Sequence, residues 1–378
     1  MNETWWVNID QLDEAQRKIL IEKPETELLF VGPPGSGKTN ILMLRANYVR
    51  HVGPRVLFLT FTRTLAEFLR SGPNIGRADQ IQRSDIKTFM GWARGLILEN
   101  GGTPPDDTGN FKDDRLAMIS ALTAVVDQNK LGHLYDFAFI DEVQDFLESE
   151  LNLVRRLANR INAAGDSRQR IWSHREGLVT AARLVHKTVE LQLHYRIGEA
   201  ICALADQILP APEGTAPLLD GCNYDEDLRP SSVKTVPCSD EAFMLDSCLT
   251  AIKEQIRYIN DEPIGVLAAT NDILDSFMEL LYADGELTGI SIRQSQANYQ
   301  AFTPDSRVRI MTIHSAKGSE FRAVHLLQAE AFTTRNRELA FTGVTRAKTE
   351  VSLYHVAPLK GHMVPVTGTL PTDLSSIF

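Results

Sequence analysis

The sequence predicts an α/β protein of two lobes, each built on a mainly parallel sheet covered by helices. Three observations carry this. Short apolar runs alternate with longer helical patterns along the whole chain, the rhythm of strands joined by crossover helices. At 378 residues the chain exceeds one compact core, since domains hold roughly 100–200 residues each. A glycine-rich loop also stands between an apolar run and a helical one near the start. In order, the strand-like runs are 27–32, 55–61, 135–140, 160–164, 189–193, 264–268, 308–311, 323–327 and 351–355, each too short for a helix. Ile41 to Val49, Lys112 to Gln128 and Leu178 to Val185 read as helices. Asn100 to Asn110 and Leu209 to Pro230 are loops marked by Pro, Gly and Asn. The first lobe is placed at residues 1–186, with a small helical insertion at about 99–134, and the second at 187–378.

Composition narrows the function classes. There are 39 Lys and Arg against 49 Asp and Glu, a net charge of −10, with 43% apolar and 23% charged residues. Such a chain is neither disordered nor a bulk polybasic binder, so any phosphate contact must be local. The four cysteines, Cys202, Cys222, Cys238 and Cys248, show no CxxC pair, which argues against structural zinc. No apolar run nears the ~20 residues of a membrane span. The expectation is a cytoplasmic protein with free thiols and no membrane partner.

Gly32-Pro33-Pro34-Gly35-Ser36-Gly37-Lys38-Thr39 fits G-x-x-x-x-G-K-[ST] in its required setting between a strand and a helix. The glycines let backbone N–H groups turn around phosphate oxygens, and the helix N-terminus adds its positive end. Lys38 is then placed for the β/γ-phosphates and Thr39 for Mg²⁺. The apolar run 135–140 ends in Asp141-Glu142, where Asp141 can hold the metal through water. Glu142 can take a proton from water attacking the γ-phosphate. The nearest approach to a guanine-reading N-K-x-D is Asn129-Lys130-Leu131-Gly132, which lacks the acid, so a GTPase is disfavoured.

With Asp141-Glu142-Val143-Gln144-Asp145 in place, the chain resembles the UvrD/Rep-like branch of superfamily 1 helicases, in family order from about Leu12 to about Val356. That resemblance implies two RecA-like lobes with a nucleotide between them. It implies that Gln16, in Leu12-Asp13-Glu14-Ala15-Gln16, reads the adenine edge. Gln169, in Gly165-Asp166-Ser167-Arg168-Gln169-Arg170-Ile171-Trp172, is implied to sense the γ-phosphate. In His194-Tyr195-Arg196, Tyr195 stacks on adenine and Arg196 meets the γ-phosphate. In Thr312-Ile313-His314-Ser315-Ala316-Lys317-Gly318-Ser319-Glu320-Phe321, Glu320 is placed for the ribose. Val344-Thr345-Arg346-Ala347-Lys348 supplies the arginine finger, Arg346. Two arginines and a glutamate in a second lobe are unnecessary for a P-loop kinase.

Leu59-Thr60-Phe61-Thr62 and Ile86-Lys87-Thr88-Phe89 resemble the family's strand-contacting motifs. The expected nucleic-acid contacts are therefore Phe61, Thr62, Phe89, Trp172 and His174 in the first lobe, with His314 and Lys317 in the second. His174 stands where the family usually has a tryptophan, His194 replaces an asparagine, Ser319 a leucine, and Asn40 follows Thr39 where relatives often carry arginine. Family members usually carry two sizeable inserted subdomains. Here Leu98 to Tyr135 leaves room for a small one and Ser295 to Ser306 only for a loop. The implied activity is an ATP-dependent, Mg²⁺-dependent translocase or helicase on single-stranded DNA, with RNA less favoured and movement from 3′ to 5′. The alternative is a regulatory subunit that uses ATP as a switch for a protein partner such as a nuclease.

Overall fold

The computed structural model describes residues 6, 9–53, 55–72, 75–77, 80–169, 176–294, 300, 302–303 and 305–365. They form two units. The first comprises residues 1–194 with Lys317–Ser319, the second residues 195–316 and 320–378.

The first unit runs α1 (Glu14–Ile21), β1 (Leu28–Val31), α2 (Lys38–Arg50), β2 (Val56–Thr60), α3 (Arg63–Arg70), β3 (Ile86–Thr88), α4 (Phe89–Glu99) and α5 (Phe111–Gln128). It continues through β4 (Tyr135–Ile140), α6 (Glu148–Leu157), β5 (Ala158–Gly165), α7 (Gly177–Leu184) and β6 (Lys187–Glu190). Its six strands lie in the order β3-β2-β4-β5-β1-β6, every pairing parallel. Leu28, Leu29, Phe30, Phe58, Phe137 and Phe139 are buried, and covering such a side chain contributes about 1.5–3 kcal/mol. Helices cover both faces, which is why the central strands read as unbroken apolar runs.

The second unit runs α8 (Glu199–Ile208), β7 (Ser232–Pro237), α9 (Glu241–Gln255), β8 (Ile264–Ala268), α10 (Asp272–Asp284), β9 (Ser291–Gln294) and β10 (Val308–Thr312). Then come α11 (Ile313–Ala316), β11 (Phe321–Leu326), α12 (Arg337–Val344) and β12 (Ala347–His355). Its order is β7-β12-β11-β8-β10-β9, again all parallel.

The division differs from the expected one. A boundary at 186/187 falls immediately before β6, but β6 pairs with β1 through Leu28↔Lys187 to Val31↔Glu190 and so belongs to the first sheet. The units part instead between His194 and Tyr195. Strands β3, β7 and β9 are additions to those read from the sequence. The insertion at 99–134 amounts to α5 and its flanking loops, packed on α4.

Candidate nucleotide and nucleic-acid site

Parallel strands bring their carboxyl ends to one edge, and there ligands meet an α/β sheet. At that edge of the first sheet β1 opens into Gly32 to Thr39, β4 into Asp141-Glu142 and β5 into Asp166, while β2 and β3 lead to Phe61 and Phe89. In the phosphate loop Gly35 and Gly37 have φ of 80° and 79°, a region open to glycine at little cost. A side chain at Gly32 would strike Leu191 O at 2.8 Å. Lys38 Nζ donates to the carbonyls of Gly32 and Pro33, both at 2.8 Å, and α2 starts at this same lysine, its N-terminus facing the loop.

Asp141 is 2% exposed, and its Oδ2 has no hydrogen-bond partner. Burial and the neighbouring Glu142 push its pKa up to about 7, against the pull of the Thr39 hydroxyl. An orphaned carboxylate oxygen beside Thr39 is a donor set suited to a hard divalent cation, whose charge would remove that burial cost. Ser36 Oγ, also buried and unpartnered, adds to the cradle. Glu142 adopts φ 54°, ψ 42°, a left-handed conformation costing roughly 1–2 kcal/mol in a non-glycine residue. Strain of this kind collects at functional sites. Gln144 Nε2 donates to Glu142 Oε2, and its Oε1 accepts from Asp166 N at 3.1 Å. One amide thus ties the end of β4 to the end of β5. Gln144 was assigned no role from the sequence, although its place two residues past Glu142 was visible there.

Gln16 is 5% exposed. Its Oε1 accepts from Asp13 N at 3.1 Å in the capping box of α1, and its Nε2 donates to Ser36 O at 3.0 Å. In this state it braces the phosphate loop. Gln169 is 3% exposed at the same edge, and its carbonyl accepts from Lys317 Nζ at 2.8 Å.

Lys317 clusters with the first unit. It is 1% exposed, lies 2.6 Å from Asp145 Oδ2 and 3.6 Å from Glu142 Oε2, and so offers nucleic acid no open surface. Burial raises Asp145 to about 7, and Lys317 pulls it down. Phe89 is likewise enclosed, 5.5 Å from Trp92 and 6.2 Å from Phe146 between ring centroids. Phe61 is half-buried, edge-on to Phe111 and Phe146, with the Arg115 guanidinium 5.0 Å above its ring. Arg115 pairs with Glu150 and donates to Asp145 O at 2.7 Å, linking Phe61 to the acidic segment. Thr62 caps α3 by accepting from Leu65 N at 3.2 Å and donates to Lys317 O at 3.4 Å. Trp172 and His174 lie outside the described residues.

In the second unit the candidates gather at the amino edge of the sheet. Glu320 precedes β11 and Arg346 precedes β12, joined by Phe321 N donating to Arg346 O at 2.9 Å. Arg196 pairs with Glu320, whose other oxygen lies 3.8 Å from Lys348 Nζ. Lys348 in turn pairs with Glu262 at 2.6 Å. Arg346 is 3% exposed and its Nε donates to Thr342 O at 3.1 Å. Tyr195 is 37% exposed. His314 sits on α11, past the carboxyl end of β10 and hence at the opposite edge from Arg196, Glu320 and Arg346.

Residues 16–175 match the model of an AAA domain, and residues 307–354 that of a UvrD-like helicase C-terminal domain. A probable DNA helicase of Mycoplasma pneumoniae is 26% identical over 250 residues, covering 58% of this chain and 44% of that protein. The RecBCD enzyme subunit RecD of Haemophilus influenzae is 50% identical over 46 residues, 12% of this chain and 7% of that one. The chain therefore spans less than half the length of either relative. The C-terminal domain of a possible DNA helicase from Lactobacillus plantarum aligns with TM-score 0.33 at 20% identity, over 46% of this chain and 94% of that domain. No helix among the described residues is long and apolar enough to cross a membrane.

Proposed function

Taking the chain as a UvrD/Rep-like superfamily 1 helicase by its motifs and family matches, we propose that it is an ATP-dependent translocase on single-stranded DNA, moving from 3′ to 5′. The observation carrying this reading is the set at one sheet edge: Lys38, Thr39, an unpartnered Asp141 oxygen and a strained Glu142. Lys38 and the loop N–H groups hold the phosphates, and Thr39 and Asp141 hold Mg²⁺. When bound, that ion neutralises charge developing on the phosphate oxygens. Glu142 orients and deprotonates the attacking water, while Gln144 fixes its carboxylate. Gln169 reports the γ-phosphate. Arg196 and Arg346 stabilise the charge of the transferring phosphoryl group, so hydrolysis draws on both units. Tyr195 and Gln16 hold the base, Glu320 the ribose. Phe61, Thr62, Trp172, His174 and His314 are the strand contacts, with Phe89 and Lys317 supporting them from within.

ATPase assays with and without single-stranded DNA, RNA and duplex test the reading. Stimulation at least tenfold by single-stranded DNA, with less from RNA, supports it; indifference to every nucleic acid overturns it. Arg346→Ala should cut kcat about 10³-fold and leave strand binding intact. The short likeness to RecD, by its name a subunit of an enzyme complex, favours a second reading, an ATP switch acting on a partner such as a nuclease. Stimulation by a protein partner alone distinguishes it.

A further inference from the structure

Two thiols converge in the second unit, neither of them given a role above. Cys202 lies in the first turn of α8 and is wholly buried, whereas Cys222 follows the 3₁₀ turn Leu219–Gly221 and is half-buried. Both donate to one acceptor, the carbonyl of Ile197, at 3.4 and 3.2 Å. Their sulfurs lie within 4.8 Å of each other. The scaffold holds them there: Asp206 of α8 accepts from Leu218 N at 2.8 Å and Leu219 N at 2.9 Å, pinning the 3₁₀ turn to the helix.

We propose that Cys202 and Cys222 form an oxidisable dithiol, a modification site at which a small peroxide converts the pair into an intramolecular disulfide. The more accessible Cys222 is the attacking thiol. The Cys202 thiol, when it turns its one proton from Ile197 O to the Cys222 sulfur, lowers the Cys222 pKa to about 7, and the same contact with burial raises Cys202. A thiol with a pKa near ambient pH is the most effective attacker. The Cys222 thiolate attacks one peroxide oxygen, the O–O bond breaks, and the other oxygen leaves as water after taking a proton. Cys222 is then a sulfenic acid. The Cys202 sulfur attacks it, the S–O bond breaks, and the oxygen departs as a second water with the Cys202 proton. Two thiols lose two electrons in all, and one peroxide gains them. The remaining cysteines are poor competitors, since burial raises the pKa of Cys238 and raises that of the enclosed Cys248 further. Oxidation also strips Ile197 O of both thiol donors, one residue from Arg196, so the modification sits beside a residue of the proposed ATP site without depending on that role.

The test is peptide mapping of the full chain after treatment with hydrogen peroxide in the presence of a chelator, digested without reductant. The expected product is a Cys202–Cys222 cross-link lacking two hydrogens, reversed by dithiothreitol, with Cys238 and Cys248 still alkylatable. Cys202→Ser should accumulate a sulfenic acid on Cys222 that dimedone traps, and Cys222→Ser should slow peroxide consumption at least tenfold. A cross-link between other cysteines overturns the proposal. So does a parent chain in which Cys222 proceeds to sulfinic acid uncoupled, or in which both thiols survive peroxide that oxidises free glutathione.

Discussion

Lys38 and Glu142 are both charged residues of one edge, yet their surroundings separate their tasks. Lys38 Nζ rests on the loop carbonyls of Gly32 and Pro33, and on the proposed reading phosphate oxygens replace these contacts, so its contribution falls in the ground state. On the proposed reading Glu142 acts only when water loses its proton. Lys38→Ala should abolish nucleotide binding, while Glu142→Gln should keep affinity within about threefold and reduce turnover by roughly 10²–10⁴. Fluorescent-nucleotide titration beside single-turnover hydrolysis separates the two, and equal loss of affinity in both would mean the roles are misassigned. At this scale the sequence yields the motif residues but not their partners. Gln16 was legible as a motif position by resemblance, whereas its bonds to Asp13 and Ser36 depend on where two loops meet. Lys317 was read as a nucleic-acid contact, and a lysine is almost never buried unless paired. Its pairing with Asp145, 172 positions away by their residue numbers, leaves no local trace in sequence.

Elements were legible according to their place in the sheet. The eight inner strands, β1, β2, β4, β5, β8, β10, β11 and β12, all read as apolar runs because both faces are covered. Of the four edge strands only β6 was read, as 189–193, while β3, β7 and β9 were not. β3 and β9 have three and four residues, β7 buries none of its residues and ends in Pro237, and β6, Lys-Thr-Val-Glu, is largely exposed and was given to the wrong unit. Short, polar edges are how sheets avoid pairing with other chains. What braces the helices was equally hidden. Arg45 of α2 is wholly buried and donates five hydrogen bonds, to Asn162 Oδ1 and to the carbonyls of Ile19, Glu22, Lys23 and Thr26. It closes the end of α1 and the turn into β1. Arg45→Met keeps the bulk and orphans those carbonyls, so the first unit should lose about 3 kcal/mol in urea unfolding; a loss below about 1 kcal/mol would mean water replaces the guanidinium. In the second unit, Glu350 only accepts, so Gln255 Nε2 donates to it at 3.0 Å and Gln255 Oε1 accepts from His325 Nε2 at 2.7 Å. His325 Nδ1 is left to accept from the Tyr354 hydroxyl at 2.9 Å, a neutral tautomer. Burial lowers its pKa from 6.5 to about 3. Between those values the unfolded chain binds a proton that the folded one refuses, so stability is lost as pH falls below 6.5. From pH 7.5 to 5 this should cost on the order of 2 kcal/mol, and His325→Gln should flatten the slope; an unchanged slope in urea titrations would show that other groups carry it.

For the whole molecule, the question is what two units of this size can do to a duplex. Each unit carries one parallel sheet with its helices. Between α4 and β4 stands only α5 with its loops, and between β9 and β10 only thirteen positions, 295–307. In the family that the motifs resemble, sizeable subdomains occupy those two places. Separating a duplex requires a surface that engages the fork, in addition to a grip on one strand. Opening costs about 1.4 kcal/mol per base-pair step on average, and strands freed behind a motor with no such surface re-anneal as soon as it slips. The chain should therefore move along single strands, displacing streptavidin from a biotinylated end, while separating a forked 20-base-pair duplex poorly. A partner protein or a second copy that supplies the missing surface should raise unwinding without raising the ATPase rate per strand-bound chain. Because the assays use the same protein and the same strand, the two outcomes are separable. Efficient unwinding by a demonstrated monomer would place the fork surface within these two units, and strand-stimulated hydrolysis without displacement would remove translocation from the reading altogether.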